Sequence, residues 1–69
     1  MNGNKFQINY VLNHKPFIFG TNDLKSAIKH VSHYVDDKTC QYIEINDKEA
    51  GKIYLKEQIR EMTWMLLEE

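Results

Sequence analysis

Two histidines and an aspartate near the middle of the chain have a spacing that could hold a metal ion. His30 and His33 are three residues apart, and Asp37 follows four residues after His33. On a helix this spacing could bring two imidazoles and a carboxylate toward one ion. Both histidines, however, lie off the apolar side of the predicted helix, and the third histidine, His14, falls in a distant turn. We therefore interpret His30 and His33 as solvent-facing side chains and predict no metal site.

The other reactive groups lack the partners that catalysis requires. Cys40 is the only cysteine, and it falls at the start of a predicted strand, away from any helix N-terminus that could activate the thiol. The adjacent carboxylates at 36–37 and 68–69 point in different directions, unlike an acid–base pair. The three glycines stand apart and form no phosphate-binding loop. A chain this short also has little bulk to enclose a deep pocket. The sequence predicts no enzyme, no catalytic residues, no cofactor and no small-molecule substrate.

The first half of the chain has the pattern of a hairpin followed by a helix. Residues 5–12 alternate between apolar and polar side chains, which is typical of a half-buried strand. Turn residues at 13–16 lead to a second, short strand at 17–19. Thr21 or Asn22 is the expected N-cap of the next helix, with Asp23 in its first turn. Apolar residues then recur at helical spacing from Leu24 to Val35, and residues 36–38 end the helix.

The second half repeats this order. Residues 40–46 alternate as a strand, residues 47–51 form a loop with Gly51 in the left-handed conformation, and residues 52–55 form a fourth strand. Residues 56–69 are rich in helix formers, and one apolar stripe contains Leu55, Ile59, Met62 and Leu66. The alternative, a single helix from Asp47, would place Gly51 in its interior. We prefer the strand followed by the helix.

The predicted fold class is α+β, with element order ββαββα. Each ββα unit has an apolar sheet face and an apolar helix stripe that it cannot bury alone. We expect a four-stranded antiparallel sheet with both helices packed on one face. The 69 residues allow one domain, 1–69, with residues 1–4 frayed or disordered. A core of this size supplies a net stability of only a few kcal/mol (about 3–5), and self-association could add to it.

One face of the predicted sheet carries residues that could bind nucleic acid. Lys5, Tyr42, Lys52 and Tyr54 are expected to point away from the helices, where aromatic rings can stack on bases and lysines can contact phosphates. An ordinary solvated face is the competing interpretation, since Tyr is common in strands. Nine basic against ten acidic residues, a net charge of −1, oppose general DNA binding. Single-stranded nucleic-acid binding is the alternative function.

The last helix has more apolar surface than one sheet can cover. Trp64 lies about 180° from the core stripe, on a second stripe with Arg60 and Leu67, and Met65 flanks it. Trp, Met and Arg are enriched at the centres of protein interfaces. A local pair in which Trp64 covers Arg60 is the competing interpretation. We predict a partner-binding surface made of Arg60, Trp64, Met65 and Leu67, and homodimerisation through this helix is its simplest version.

These patterns together predict a small regulatory or interaction module that binds a protein partner or a second copy of itself. A single cysteine favours a reducing compartment, so we expect a cytoplasmic protein. No stretch approaches the length of a membrane span, and the N-terminal residues do not resemble a secretion signal. The small size and the bias toward Asn, Ile and Lys would suit an accessory protein of a mobile element.

Overall fold

The computed structural model describes residues 4–67, with side chains described up to Leu66. Four strands and two helices follow one another in the predicted order ββαββα, and the fold is α+β. The elements are β1 (Phe6–Leu12), β2 (Lys15–Thr21), α1 (Leu24–Val31), β3 (Cys40–Asp47), β4 (Lys52–Leu55) and α2 (Lys56–Leu67). Asn4, which the sequence placed in a frayed terminus, lies over Gly20, and residues 1–3 lie outside the described residues.

All strands belong to one antiparallel sheet with the spatial order β2-β1-β3-β4. The two central strands come from different halves of the chain and pair with Ile8 opposite Ile45 and Tyr10 opposite Ile43. These four side chains are buried, and they define the core face of the sheet. The residues between them along each strand point to the opposite, outer face, because side chains alternate along a strand.

Residues from both helices and from β1 and β3 meet in one core. Three residues of α1 (Ala27, Ile28 and Val31) and one residue of α2 (Ile59) belong to the same buried cluster as the four strand residues of the core face. The helices also contact each other. The four-stranded antiparallel sheet with two helices is therefore confirmed, whereas the more specific expectation that both helices cover the same face stays a prediction.

The first hairpin turns more tightly than the sequence suggests. The loop between β1 and β2 is the pair Asn13-His14, and both residues have positive φ, 58° and 67°. Two consecutive residues in this region form a type I′ turn, which matches the twist of the flanking strands. Pro16, which was expected in the turn, instead lies within β2, opposite Val11. The second strand is consequently seven residues long, longer than predicted.

The first helix begins one or two residues later than the expected caps Asn22 and Thr21 imply, and it ends earlier. Asp23 is the N-cap, and its Oδ2 accepts a hydrogen bond of 3.0 Å from the Ser26 backbone N–H. The proposed cap Asn22 has another role, since its Oδ1 accepts from the Lys5 backbone N–H at 2.9 Å. After Val31 the chain continues in turns that still bury Val35. Burial of Val35 explains why the apolar spacing suggested a longer helix.

The strand β4 leads directly into α2, without a loop. Gly51 has the predicted positive φ of 67° in the turn before β4. At the junction, the Leu55 backbone N–H donates to Gln58 Oε1 at 2.8 Å, the return contact of a helix N-terminal cap. Leu55 is therefore a strand residue, opposite Glu44 on the outer face. Its expected place in the core stripe of α2 was wrong.

No helix in the described part of the chain is long and apolar enough to cross a membrane.

Candidate interaction surface

The end of α2 exposes large apolar side chains. Ile59 is fully buried, and Met62 and Leu66 pack against the core from the same side of the helix. Trp64 and Met65 point elsewhere and are 70% and 72% exposed. The helical conformation and the exposed indole were both expected from the sequence. The Leu67 side chain, the fourth member of the predicted surface, lies outside the described residues.

Arg60 joins α2 to the turn that follows α1. Its Nε and Nη2 both donate to Asp36 Oδ1, at 3.1 and 2.9 Å. A shallow cavity of about 180 Å³ lies beside this ion pair and is lined by Ser32, Val35, Asp36, Arg60, Thr63 and Trp64. The guanidinium is therefore held by a carboxylate, and the indole borders a depression between α2 and the turns that follow α1. The local Trp64–Arg60 pair stays an alternative interpretation of the exposed indole.

The residues predicted for nucleic-acid binding do not share one face of the sheet. Tyr42 lies on the outer face, opposite Val11, and the outer face is also the side that the alternation of β1 assigns to Lys5. Tyr54, however, pairs with buried Ile45, and Lys52 pairs with Asp47, so both belong to the core face. There Lys52 Nζ lies 5.5 Å from the Tyr54 ring centroid. The expected outward placement of Lys52 and Tyr54 was wrong.

The centre of the outer face carries a chain of hydrogen bonds between side chains. Gln7 Nε2 donates to Asn9 Oδ1 at 3.0 Å, and Asn9 Nδ2 donates to Glu44 Oε2 at 2.8 Å. The Tyr42 hydroxyl donates to the other oxygen of Glu44. This hydrogen bond to the carboxylate is the main reason that the pKa of Tyr42 lies above its usual value. The network therefore joins the side chains of Gln7, Asn9 and Glu44 and the Tyr42 hydroxyl to one another.

The residues first considered for metal chemistry are separated by the fold. His33 is exposed, as expected. His30 is half-buried, which corrects its expected solvent-facing position: its ring stacks on Phe19 at 4.2 Å between centroids, and its Nε2 lies 3.3 Å from the Tyr10 hydroxyl. The Asp37 carboxylate binds the N–H and hydroxyl of Thr39. Cys40 is a buried free thiol. In the described part of the chain, no group of three or more potential ligands could hold a metal ion.

A second exposed apolar surface was not identified from the sequence. Phe17, Ile18 and Phe19 follow one another in β2, an edge strand, and all three are exposed, Ile18 to 75%. The signal was present in the sequence, because three consecutive apolar residues place apolar side chains on both faces of a strand. Without the sheet order, however, β2 could equally have been a central strand.

Comparison of the chain with protein-family models, curated proteins and solved structures finds no match.

Proposed function

We propose that this protein is a small, non-enzymatic interaction module that binds a protein partner through the exposed end of α2. The observation that carries the proposal is the 70% exposure of Trp64 beside the equally exposed Met65. Placing an indole in water forgoes the favourable burial of a large aromatic surface. A partner that covers Trp64 and Met65 would recover this free energy, which makes them the anchors of the contact.

The surroundings of Trp64 suit a protein partner. The cavity between α2 and the turns after α1 gives a depression next to the indole, and the Arg60–Asp36 ion pair supplies a polar rim. An apolar centre with a polar edge is the usual anatomy of a protein interface. The buried, unpaired Cys40 is compatible with a reducing compartment, and we propose that the module acts in the cytoplasm.

Trp64 is the only tryptophan in the chain, so its fluorescence reports directly on this surface. Binding of a partner at α2 shifts the emission to shorter wavelength and protects the indole from acrylamide. A second copy is the first partner to test, by measuring the emission and the sedimentation mass over a range of concentrations. Trp64→Ala lowers that mass, or abolishes capture of a partner in a pull-down, while the circular dichroism spectrum stays native.

The matched control is Ile53→Ala, which removes an exposed apolar side chain from another element. This variant keeps both the mass and the capture of the wild-type protein. If Trp64→Ala behaves like wild type in sedimentation and in pull-down, the proposal is wrong.

The alternative function, binding of single-stranded nucleic acid, has less support. Lys52 and Tyr54 belong to the core face, and the Glu44 carboxylate lies in the middle of the outer face. A carboxylate at that place repels phosphates. Gel mobility with short RNA and DNA at low salt tests this function, since binding driven by phosphate contacts weakens steeply as salt rises.

A further inference from the structure

Among residues 4–67, β2 forms one edge of the sheet. Its outward backbone groups can be satisfied as a set only by another strand. The two-residue turn makes Leu12 and Lys15 the hydrogen-bonded pair that closes the hairpin. Hydrogen-bonded pairs alternate with non-hydrogen-bonded pairs along an antiparallel ladder. The backbone groups of Phe17 and Phe19 therefore also form hydrogen bonds with β1. The backbone N–H and C=O groups of Pro16, Ile18 and Gly20 therefore point away from β1, along the open edge of the sheet. They comprise three carbonyls and two N–H groups, since proline has no N–H.

We propose that a second copy of this chain pairs with β2 in antiparallel orientation, with the two Ile18 residues opposite each other on a two-fold axis. Each Ile18 then donates its N–H to the Ile18 carbonyl of the other copy. Each Gly20 donates its N–H to the Pro16 carbonyl of the other copy. The two four-stranded sheets become one continuous sheet of eight strands. This inference uses a different surface from the proposed function, and each can fail alone.

The central three residues of β2, Phe17-Ile18-Phe19, read the same in both directions about Ile18, which favours a second copy as the occupant. In the proposed register Phe17 of one copy lies opposite Phe19 of the other, so the exposed aromatic rings cover each other on the core-face side. On the outer face the two Ile18 side chains cover each other. Directly opposed apolar side chains of this kind stabilise strand pairing.

Charge also fits the self-pairing. Lys15 is the only charged residue of β2, and the register places it opposite Thr21 of the other copy. No like charges therefore face each other along the new ladder. Edge strands that must stay unpaired usually carry charges, bulges or prolines along their length. In β2 both protective residues, Lys15 and Pro16, stand at its first two positions, and the remaining five positions are open.

The other edge of the sheet is less able to pair, and it supplies the control. The strand β4 has four residues. The backbone groups of Lys52 and Tyr54 point toward β3, where these residues pair with Asp47 and Ile45. The backbone groups of Ile53 and Leu55 point away from β3. The Leu55 N–H already donates to Gln58 Oε1, so the Ile53 N–H is the one that could pair with another strand. Ile53 is 52% exposed on the outer face, as Ile18 is at 75%. The two isoleucines are thus chemically matched residues on opposite edges.

The test is a charge exchange at the two-fold axis. Wild-type protein is expected to sediment at twice its 8.2 kDa mass as concentration rises, with no shift in Trp64 emission because α2 is not covered. Ile18→Lys and Ile18→Glu each weaken the dimer by about tenfold or more, because each places like charges opposite each other. An equimolar mixture of the two variants restores the dimer, and Ile53→Lys leaves it unchanged. Restoration in the mixture shows that both variants are folded.

Three outcomes would overturn the inference. The wild-type protein could remain monomeric up to its solubility limit, the mixture of Ile18 variants could fail to dimerise, or Ile53→Lys could weaken the dimer as much as Ile18→Lys does. A fourth result separates the two proposals. If Trp64→Ala abolishes the dimer while Ile18→Lys preserves it, then α2 carries the self-association, and the pairing of β2 is wrong while the proposed function stands.

Discussion

Arg60 donates two hydrogen bonds to one oxygen of Asp36 and so connects the last helix to the turn after the first helix. Both side chains are exposed, and an exposed ion pair contributes less than about 1 kcal/mol to the free energy of unfolding. The pair therefore orients α2 more than it stabilises the fold. It also holds Arg60 at the rim of the surface that contains Trp64 and Met65.

Replacing Asp36 tests this interpretation. Asp36→Asn should lower the free energy of unfolding by less than about 1 kcal/mol, and high salt should remove most of the difference from wild type, because salt screens exposed charges. Urea unfolding followed by Trp64 fluorescence at two salt concentrations measures both effects. Arg60→Gln is the control that removes the other partner and should have a similar effect. A loss several times larger would mean that the pair is structurally essential.

Ile59 should be the residue that holds α2 on the domain, since it is the only residue of that helix in the buried cluster, among those described. Ile59→Ala should reduce the free energy of unfolding by about 2–5 kcal/mol, most of the stability expected for a domain of this size. Thermal unfolding followed by circular dichroism measures the change. Ile53→Ala, at an exposed position, should cost far less. Equal losses in the two variants would contradict the proposed core.

The stacked rings of His30 and Phe19 should contribute a measurable coupling between α1 and β2. Their centroids are 4.2 Å apart and the rings are parallel within 1°. A double-mutant cycle with His30→Ala and Phe19→Ala should give a coupling energy of about 0.5–1.5 kcal/mol. The same cycle with exposed His33 in place of His30 should give a value near zero. If the two cycles agree, the stacking has no energetic role.

The Asp37 carboxylate should report on the turn before β3. The Thr39 backbone N–H and then its hydroxyl hold the pKa of Asp37 below its usual value, since both donate to the charged form. The folded pKa is lower than the unfolded one, so this contribution to stability is complete above the unfolded pKa and disappears as pH falls through the folded pKa.

An NMR titration of Asp37 in the wild type and in Thr39→Val measures this effect. The variant keeps the backbone N–H and loses the hydroxyl, so the pKa of Asp37 should rise part of the way to its usual value. An Asp37 that titrates identically in both proteins would show that the Thr39 hydroxyl does not bind it.

Local pattern was sufficient to predict the elements of this protein. Period-two alternation identified β1 and β3, and helical spacing placed Leu24, Ile28 and Val31 on the buried side of α1. Gly51 was correctly assigned to a turn, because glycine adopts a positive φ without steric cost, and its φ is 67°. The angular position of Trp64 on α2 also follows from sequence alone, because 3.6 residues per turn place it opposite the core stripe.

Tertiary structure decided which side of each strand faces the core. Tyr54 and Lys52 lie on the core face because the turn before β4 sets Tyr54 opposite Ile45, and a shift of one residue would reverse every side chain. Likewise β2 is an edge strand only because β3 takes the place on the other side of β1. Pairing between strands distant in sequence depends on the whole sheet, and a short sequence window holds no information on it.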